Sequence, residues 1–237
     1  MNVNILQLFP KELNSFGDQG NIEVLKKRLE WRDYKVKIWQ YEPGSNLPHQ
    51  IDLIIGGGDQ FSNLKEIEKE FRKISRQLKT LIENDIPMLA TSATFWMLGK
   101  YIQEEDDSRI DGLDILKIAT ITGNEAICGN IILDSPEFGE VVGYENHKKQ
   151  VILGEQIQSL GIARKGQGNN MTDKDEGCRY RNLIGTNLSG PILAKNPRIA
   201  DFLIQKSLAQ RSCKVPLTTL NDRLENRAHK ASANRPR

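Results

Sequence analysis

The sequence predicts an α/β fold: a doubly wound, mostly parallel sheet flanked by helices. Two observations predict it. Short apolar runs alternate with amphipathic helical patterns as far as Gly99, in the order β-α-β-α-β-α. Two of those runs end in a glycine cluster or a small-residue turn, where strands of such a sheet give way to helices. This order calls for right-handed crossovers and helices on both faces.

Val3 to Phe9 reads as a buried strand stopped by Pro10. Asn21 to Arg32 reads as a helix, with Ile22, Leu25 and Leu29 on one face and Lys and Arg opposite. Tyr34 to Tyr41 alternates as a second strand. Asp52 to Ile55 is a short apolar strand running into Gly56-Gly57-Gly58. Leu64 to Asn84 is a long amphipathic helix whose stripe is Ile67, Phe71, Ile74, Leu78, Leu81 and Ile82. After Pro87 comes a strand, Met88 to Thr91, then a helix from Ala93 that Gly99 closes. The remainder is richer in strands: Ile115 to Ile121, Ala126 to Leu133, Glu140 to Gly143, Gln150 to Leu153 and Asn182 to Thr186. Glu104 to Asp111 and Gly166 to Gly177 have loop chemistry. Asn196 to Leu208 is the last domain helix, with Pro197 at its start. There is no internal repeat and no clear linker, so the organisation expected is one domain, residues 1–208, and a basic C-terminal tail, 209–237.

A chain of 237 residues can bury a core without disulfides or metals. A net charge of +2, with 38% hydrophobic and 27% charged residues, gives no bulk attraction for nucleic acid. The basic residues from Arg211 to Arg237 read as a solvated, partly frayed terminus. No run is long enough for a membrane helix, and Met1 to Pro10 lacks the basic start of a signal peptide. Cys128, Cys178 and Cys213 are scattered and odd in number, which fits a reducing cytoplasm. No cysteine or histidine cluster has metal spacing, so neither metal nor cofactor is expected.

Two loops stand where an open parallel sheet does its chemistry, beyond the carboxyl ends of strands. In the first, Gly56-Gly57-Gly58-Asp59-Gln60, three glycines let the backbone turn and offer N–H groups to an anion. A tight turn without a ligand explains it equally well. The second runs strand, Ser92 at a small-residue turn, then helix from Ala93, the order of a nucleophile elbow. Taken alone, that stretch favours a serine capping the helix through its hydroxyl.

Pro87 to Gly99 resembles the elbow of class-I glutamine amidotransferases of the CobB/CobQ type, P-x-L-x-x-C-G-G-Y-Q-x-L-G, and Gly185 to Pro197 resembles their G-T-Y-L-H-G-P-x-L-x-K-N-P. Gly17 to Asn21, Gly56 to Gly58, Gly143 to His147 and Gly166 to Asn170 are similar to the branch formed by the glutaminase subunits of lipid II isoglutaminyl synthase. The resemblance implies a class-I amidotransferase, flavodoxin-like fold and a heterodimer with a Mur-ligase-like partner. It further implies a cytoplasmic glutaminase whose ammonia amidates peptidoglycan D-glutamate. There a cysteine attacks the glutamine amide, a histidine carries its proton, and the triple-glycine loop forms the oxyanion hole. Carried over, the nucleophile position is Ser92, the histidine position is Ser189, and Gly56, Gly57, Gly58 and Ala93 line the oxyanion pocket.

The departures fall on the chemistry. Serines replace both cysteine and histidine, Ala93 and Thr94 replace the two elbow glycines, and Trp96 replaces the glutamine. Lys148-Lys149 stands where the family has two glycines, and Ala126 near the place of a substrate-gripping arginine. A serine hydroxyl needs an adjacent base to attack, and another serine is no base. The expectation is a degenerate subunit that scaffolds or regulates a ligase. One alternative is an active glutaminase using Ser92 or a displaced Cys128–His147 dyad, with Asp59 and Glu145 as candidate acids. Another is a binding module holding glutamine or a similar small polar or anionic ligand between Gly57, Ser92 and Ser189, with Asp59, Glu145, Asn146, His147 and Gln167 as further pocket residues.

Overall fold

Apolar alternation and helical stripes resolve into two sheets in the computed structural model, which describes residues 2–58, 64–211 and 216–237. Strands β1 (Asn2–Leu8), β2 (Lys35–Tyr41), β3 (Leu53–Gly56) and β4 (Met88–Thr91) alternate with helices α1 (Gln19–Glu30) and α2 (Leu64–Glu83). The short helix α3 (Ala93–Met97) follows β4 directly. Strands β5 (Tyr101–Gln103), β6 (Arg109–Asp111), β7 (Ile118–Ser135), β8 (Gly139–Leu153), β9 (Gly161–Lys165) and β10 (Asp175–Glu176) build the second sheet. The chain then returns to the first sheet with β11 (Cys178–Tyr180) and β12 (Leu183–Thr186), before helices α4 (Pro197–Ala209) and α5 (Arg223–Ala233).

The first sheet has the order β11-β12-β4-β3-β1-β2, parallel except for β11. This is the predicted α/β class, with its strand order reversing between β1 and β3. Every residue of β3, β4 and β12 is buried, as strands covered on both faces must be. On one face lie α2, through Ile67, Phe71, Ile74 and Leu78, and α3. On the other lie α1, through Ile22, Leu25 and Leu29, and α4, through Ile199, Leu203 and Ile204. Register sets the functional edge. Gly56 pairs with Leu8 and Ala90, and Thr91 pairs with Thr186, so the residues that follow these strands emerge side by side.

The second half differs from its sequence reading. The two strands expected between Ile115 and Leu133 are one strand, β7, and the next two are one strand, β8. A register shift between Thr122 and Ile127 lets the ribbon bend without ending. β5, β9 and the hairpin pairing of β6 within the expected acidic loop were not legible. The described residues of 209–237 also depart from a frayed terminus. Buried Arg28 pairs with Asp201 and Asp222, at 2.8 and 2.6 Å, and Arg32 Nε donates to Thr218 O at 2.8 Å. Helix α5 then lies on the β7–β8 ribbon, where its His229 meets Lys195 O at 2.8 Å and Glu140 Oε1 at 3.1 Å.

Candidate active site

The loop after β4 turns too sharply for an ordinary residue. Ser92 has φ 42° and ψ −113°, a conformation that side chains other than glycine's rarely adopt. The turn is pinned from both sides: Ser92 N–H donates to Thr186 O at 2.9 Å, and Trp96 N–H donates to Ser92 O at 2.9 Å. Strand, strained apex and helix make the elbow expected from the sequence. The capping alternative fails, because the Ser92 hydroxyl caps no backbone N–H of α3.

The triple-glycine turn packs against this apex. A Cβ on Gly58 would stand 2.6 Å from Ser92 Cβ and 2.9 Å from its Oγ. A Cβ on Gly57 would stand 2.0 Å from Leu13 O, and one on Gly56 2.3 Å from Thr94 Cγ2. Thr94 fills space beside the elbow, and its Oγ1 donates to Gly57 O at 2.7 Å while Ala93 is buried behind the apex. The structure therefore joins Gly56, Gly57, Gly58, Ser92 and Ala93 in one turn cluster. Asp59 lies outside the described residues, as does Cys213.

Ser189 follows β12 on the neighbouring loop. Its N–H donates to Tyr144 O at 2.9 Å, and its buried Oγ has no hydrogen-bond partner among the described residues. Asn187, two residues earlier, accepts from Trp96 Nε1 at 2.8 Å, so the residue in the family's glutamine position ties the elbow helix to the Ser189 loop.

The remaining candidates separate by strand face. Glu145 and His147 share the buried face of β8, whereas Asn146 is only half-buried and faces Cys128 across the ribbon. His147 is opposite Ile127, and Cys128 points the other way, its exposed thiol 3.2 Å from Tyr144 Oη. Because neighbouring strand residues alternate faces, the displaced Cys128–His147 dyad does not form. Burial lowers His147 from 6.5 to about 4, so the ring is neutral at pH 7, with Nδ1 2.7 Å from Lys149 O. Gln167 N–H and Gly168 N–H donate to Glu145 Oε1 at 2.8 and 2.6 Å, and burial raises that carboxyl.

Two buried acids were not singled out from the sequence. Asp18 Oδ1 accepts from Thr91 Oγ1 at 2.7 Å and its Oδ2 from Gly58 N–H at 3.2 Å, so it couples the loop after β1 to the elbow strand and the glycine turn. Burial pushes it up to about 6. Glu176 accepts from Thr186 Oγ1 at 3.0 Å and from Asn187 N–H at 2.8 Å, and burial pushes it up to about 8. An acid directly beside a glycine, as at Gly17-Asp18 and Glu176-Gly177, was the local signal available for both. Among the described residues no group of acids, histidines and cysteines could hold a metal ion.

A strained elbow, a glycine turn against its apex and a loop from the adjoining parallel strand are thus held in one place. The sequence model of the CobB/CobQ-like glutamine amidotransferase domain matches residues 4–197, which takes in all three. The chain belongs to this family. Two similar curated relatives are GatD subunits of glutamine-hydrolysing lipid II isoglutaminyl synthase. The one from Staphylococcus aureus (strain N315) is 33% identical, with 88% of this chain and 86% of the relative covered. The one from Streptococcus pneumoniae (strain ATCC BAA-255 / R6) is 30% identical, with 88% and 82% covered. Solved structures agree at the level of fold. PurLQS from Thermotoga maritima has a TM-score of 0.57 at 14% identity, covering 88% of this chain and 99% of that one. A glutamine amidotransferase from the same organism has 0.56 at 14%, covering 97% and 93%. In this CobB/CobQ-like chain the two lysines at 148 and 149 are held by Glu105 and Glu104, beside the acidic hairpin, so their charges face carboxylates.

Proposed function

We propose that this chain is an amidotransferase-like subunit of the machinery that amidates lipid II, and that it no longer hydrolyses glutamine. Its role is to scaffold or regulate a Mur-ligase-like partner as one half of a cytoplasmic heterodimer. The amidotransferase-like unit is residues 1–208, and 209–237 is an appended strap. The similarity to GatD subunits over most of their length supports the pathway. No described helix is long and apolar enough to cross a membrane.

The observation that carries the loss of catalysis is the Ser92 apex. It keeps an attacking residue's backbone, but among the described residues no imidazole bonds to its hydroxyl. His147 is neutral and turned to Lys149 O, and His229 is bound to Lys195 O and Glu140. His49 sits among Asn4, Trp39 and Arg211, near the start of β1 and so away from the elbow edge. A serine without a base is a weak nucleophile at neutral pH, and losing nucleophile or base alone costs ~10⁴–10⁶ in rate.

The test is ammonia release from glutamine, measured with and without a co-purifying ligase. The expected result is background release that Ser92→Ala leaves unchanged, together with altered ligase activity when the chain is present. Turnover that Ser92→Ala abolishes would overturn the reading. A second reading, a pocket for a small polar ligand, is favoured by Ser189 Oγ and Asn187 Nδ2, both buried without partners among the described residues. Glutamine raising the thermal midpoint of the wild-type chain would support it, and no shift at saturating concentration would remove it.

A further inference from the structure

We infer that the buried carboxylate of Glu145 is the floor of a guanidinium-binding site, which the segment Asn234–Arg237 fills in cis with Arg237. The inference holds whether or not the chain hydrolyses glutamine. The two oxygens of Glu145 have separate duties. Oε1 is saturated by the N–H groups of Gln167 and Gly168, at 2.8 and 2.6 Å. Oε2, which accepts no hydrogen bond among the described residues, has Arg237 Nη2 at 3.1 Å as an ion-pair partner, and the acid's side chain is 1% exposed beneath that cation. A carboxylate this buried needs a charged or hydrogen-bonding partner, and a planar guanidinium suits it.

The approach is shaped for an arginine just past a helix end, where the N–H groups of Asn234 and Arg235 close the last turn of α5 on Lys230 O and Ser232 O. Gly129 has φ +143°, and a Cβ there would stand 2.9 Å from Arg237 Cγ. A Cβ on Gly166, at φ +111°, would stand 3.0 Å from Glu145 Oε2. Two glycines therefore clear the space that side chain and carboxylate share. The backbone is read as well: Asn130 Nδ2 donates to Pro236 O at 2.5 Å, and Lys165 Nζ donates to Arg235 O. The pocket adjoins the Ser189 loop, because Glu145 bridges to Leu188 and Tyr144 O accepts from Ser189 N–H. Occupancy by a cation is thus felt by the backbone that carries Ser189. Recognition by one buried acid, two side-chain donors and two glycines also fits an arginine offered in trans on a peptide.

The experiment uses the chain lacking residues 234–237, ¹⁵N-labelled, titrated with the amidated peptide of residues 231–237. Saturable shifts are expected at the amides of Gln167 and Gly168. Binding is expected to weaken about tenfold or more when position 237 of the peptide is citrulline, which keeps the shape and loses the charge. The intact chain is expected to bind the peptide far more weakly, because its own segment competes at high effective concentration. No saturable shift in the shortened chain, or equal binding of the citrulline peptide, would overturn the site. If the shortened chain does not fold, full-length Arg237→Ala takes its place in the same titration, with the same two deciding outcomes.

Discussion

Ser92 holds φ 42° and ψ −113°, which costs a residue with a Cβ on the order of 1–3 kcal/mol. In a hydrolase that strain aims a nucleophile; here it serves no attack if the proposed loss of catalysis is right. Ser92→Gly is therefore expected to raise stability by about 0.5–1 kcal/mol in urea unfolding, since glycine adopts this backbone freely. Gly58→Ala is expected to lower it by about 1–3 kcal/mol, because its Cβ would meet Ser92 Cβ at 2.6 Å. The double variant tests their contact: removing the Ser92 side chain leaves room for the alanine, so the two changes should not add. Strict additivity would mean that the clash is relieved elsewhere.

The buried acids give a pH signature with a fixed sign. Glu176 is pushed from 4.5 up to about 8 by burial, so between those values the folded chain keeps a proton the unfolded chain has lost, and stability falls as pH rises. Asp18, raised from 3.8 to about 6, acts the same way over its own window. His147, lowered from 6.5 to about 4, acts oppositely, because there the unfolded chain binds the proton that the folded chain refuses. Of these three, Glu176 dominates between pH 7 and 8, where unfolded His147 and folded Asp18 have already lost most of their protons. The urea midpoint is expected to fall across that interval, and Glu176→Gln to flatten it. An unchanged slope in the variant would assign the titration to another group.

At the scale of elements, legibility followed how local the cause was. The helices α1 and α2 were legible because each buries a stripe at helical spacing, and β3 and β4 because apolar runs end in the glycines and small residues of the turns. The strand-turn-helix order at Ser92 was legible in the same way, but the stretch alone favoured a capping serine, and the family resemblance was what marked it as an elbow. Helix α5 was not legible. Its sequence RLENRAHKASA buries only Ser232 and leaves Leu224 75% exposed, so no stripe announces it. It is held through distant partners, above all Asp222 on Arg28. Asp18 was hidden likewise, since its partners Gly58 and Thr91 are remote in sequence, whereas Glu176 was hidden inside a stretch with loop chemistry. The strap can be tested apart from the body it crosses. Arg28→Ala leaves Asp222 without its cation and Asp201 with Arg32 alone, beside a buried void, and is expected to cost about 3 kcal/mol. Asp222→Asn leaves Arg28 with Asp201 and is expected to cost less, while hydrogen exchange speeds up across Arg223–Ala233. Unchanged protection of that helix would show that His229 and the β7–β8 ribbon hold it without the Asp222 anchor.

Across the whole molecule, the β7–β8 ribbon decides whether the two sheets behave as one body. Ile118 and Val151 belong to the core under α2 and α3, whereas Ile131, Leu133 and Val141 belong to the core under α1 and α4. One pair of strands thus feeds both hydrophobic layers, and neither layer can dissolve without loosening the ribbon that the other needs. Unfolding is therefore expected to be a single transition, with near-ultraviolet circular dichroism and the fluorescence of buried Trp96 changing together. Leu133→Ala removes a fully buried side chain from the ribbon and is expected to cost about 2–5 kcal/mol, moving both signals by the same amount. Separate midpoints for the two signals in that variant would mean that the layers unfold independently. The Ser189 loop, which bonds to β8 on one side and to the elbow helix on the other, would then join two bodies instead of lying within one.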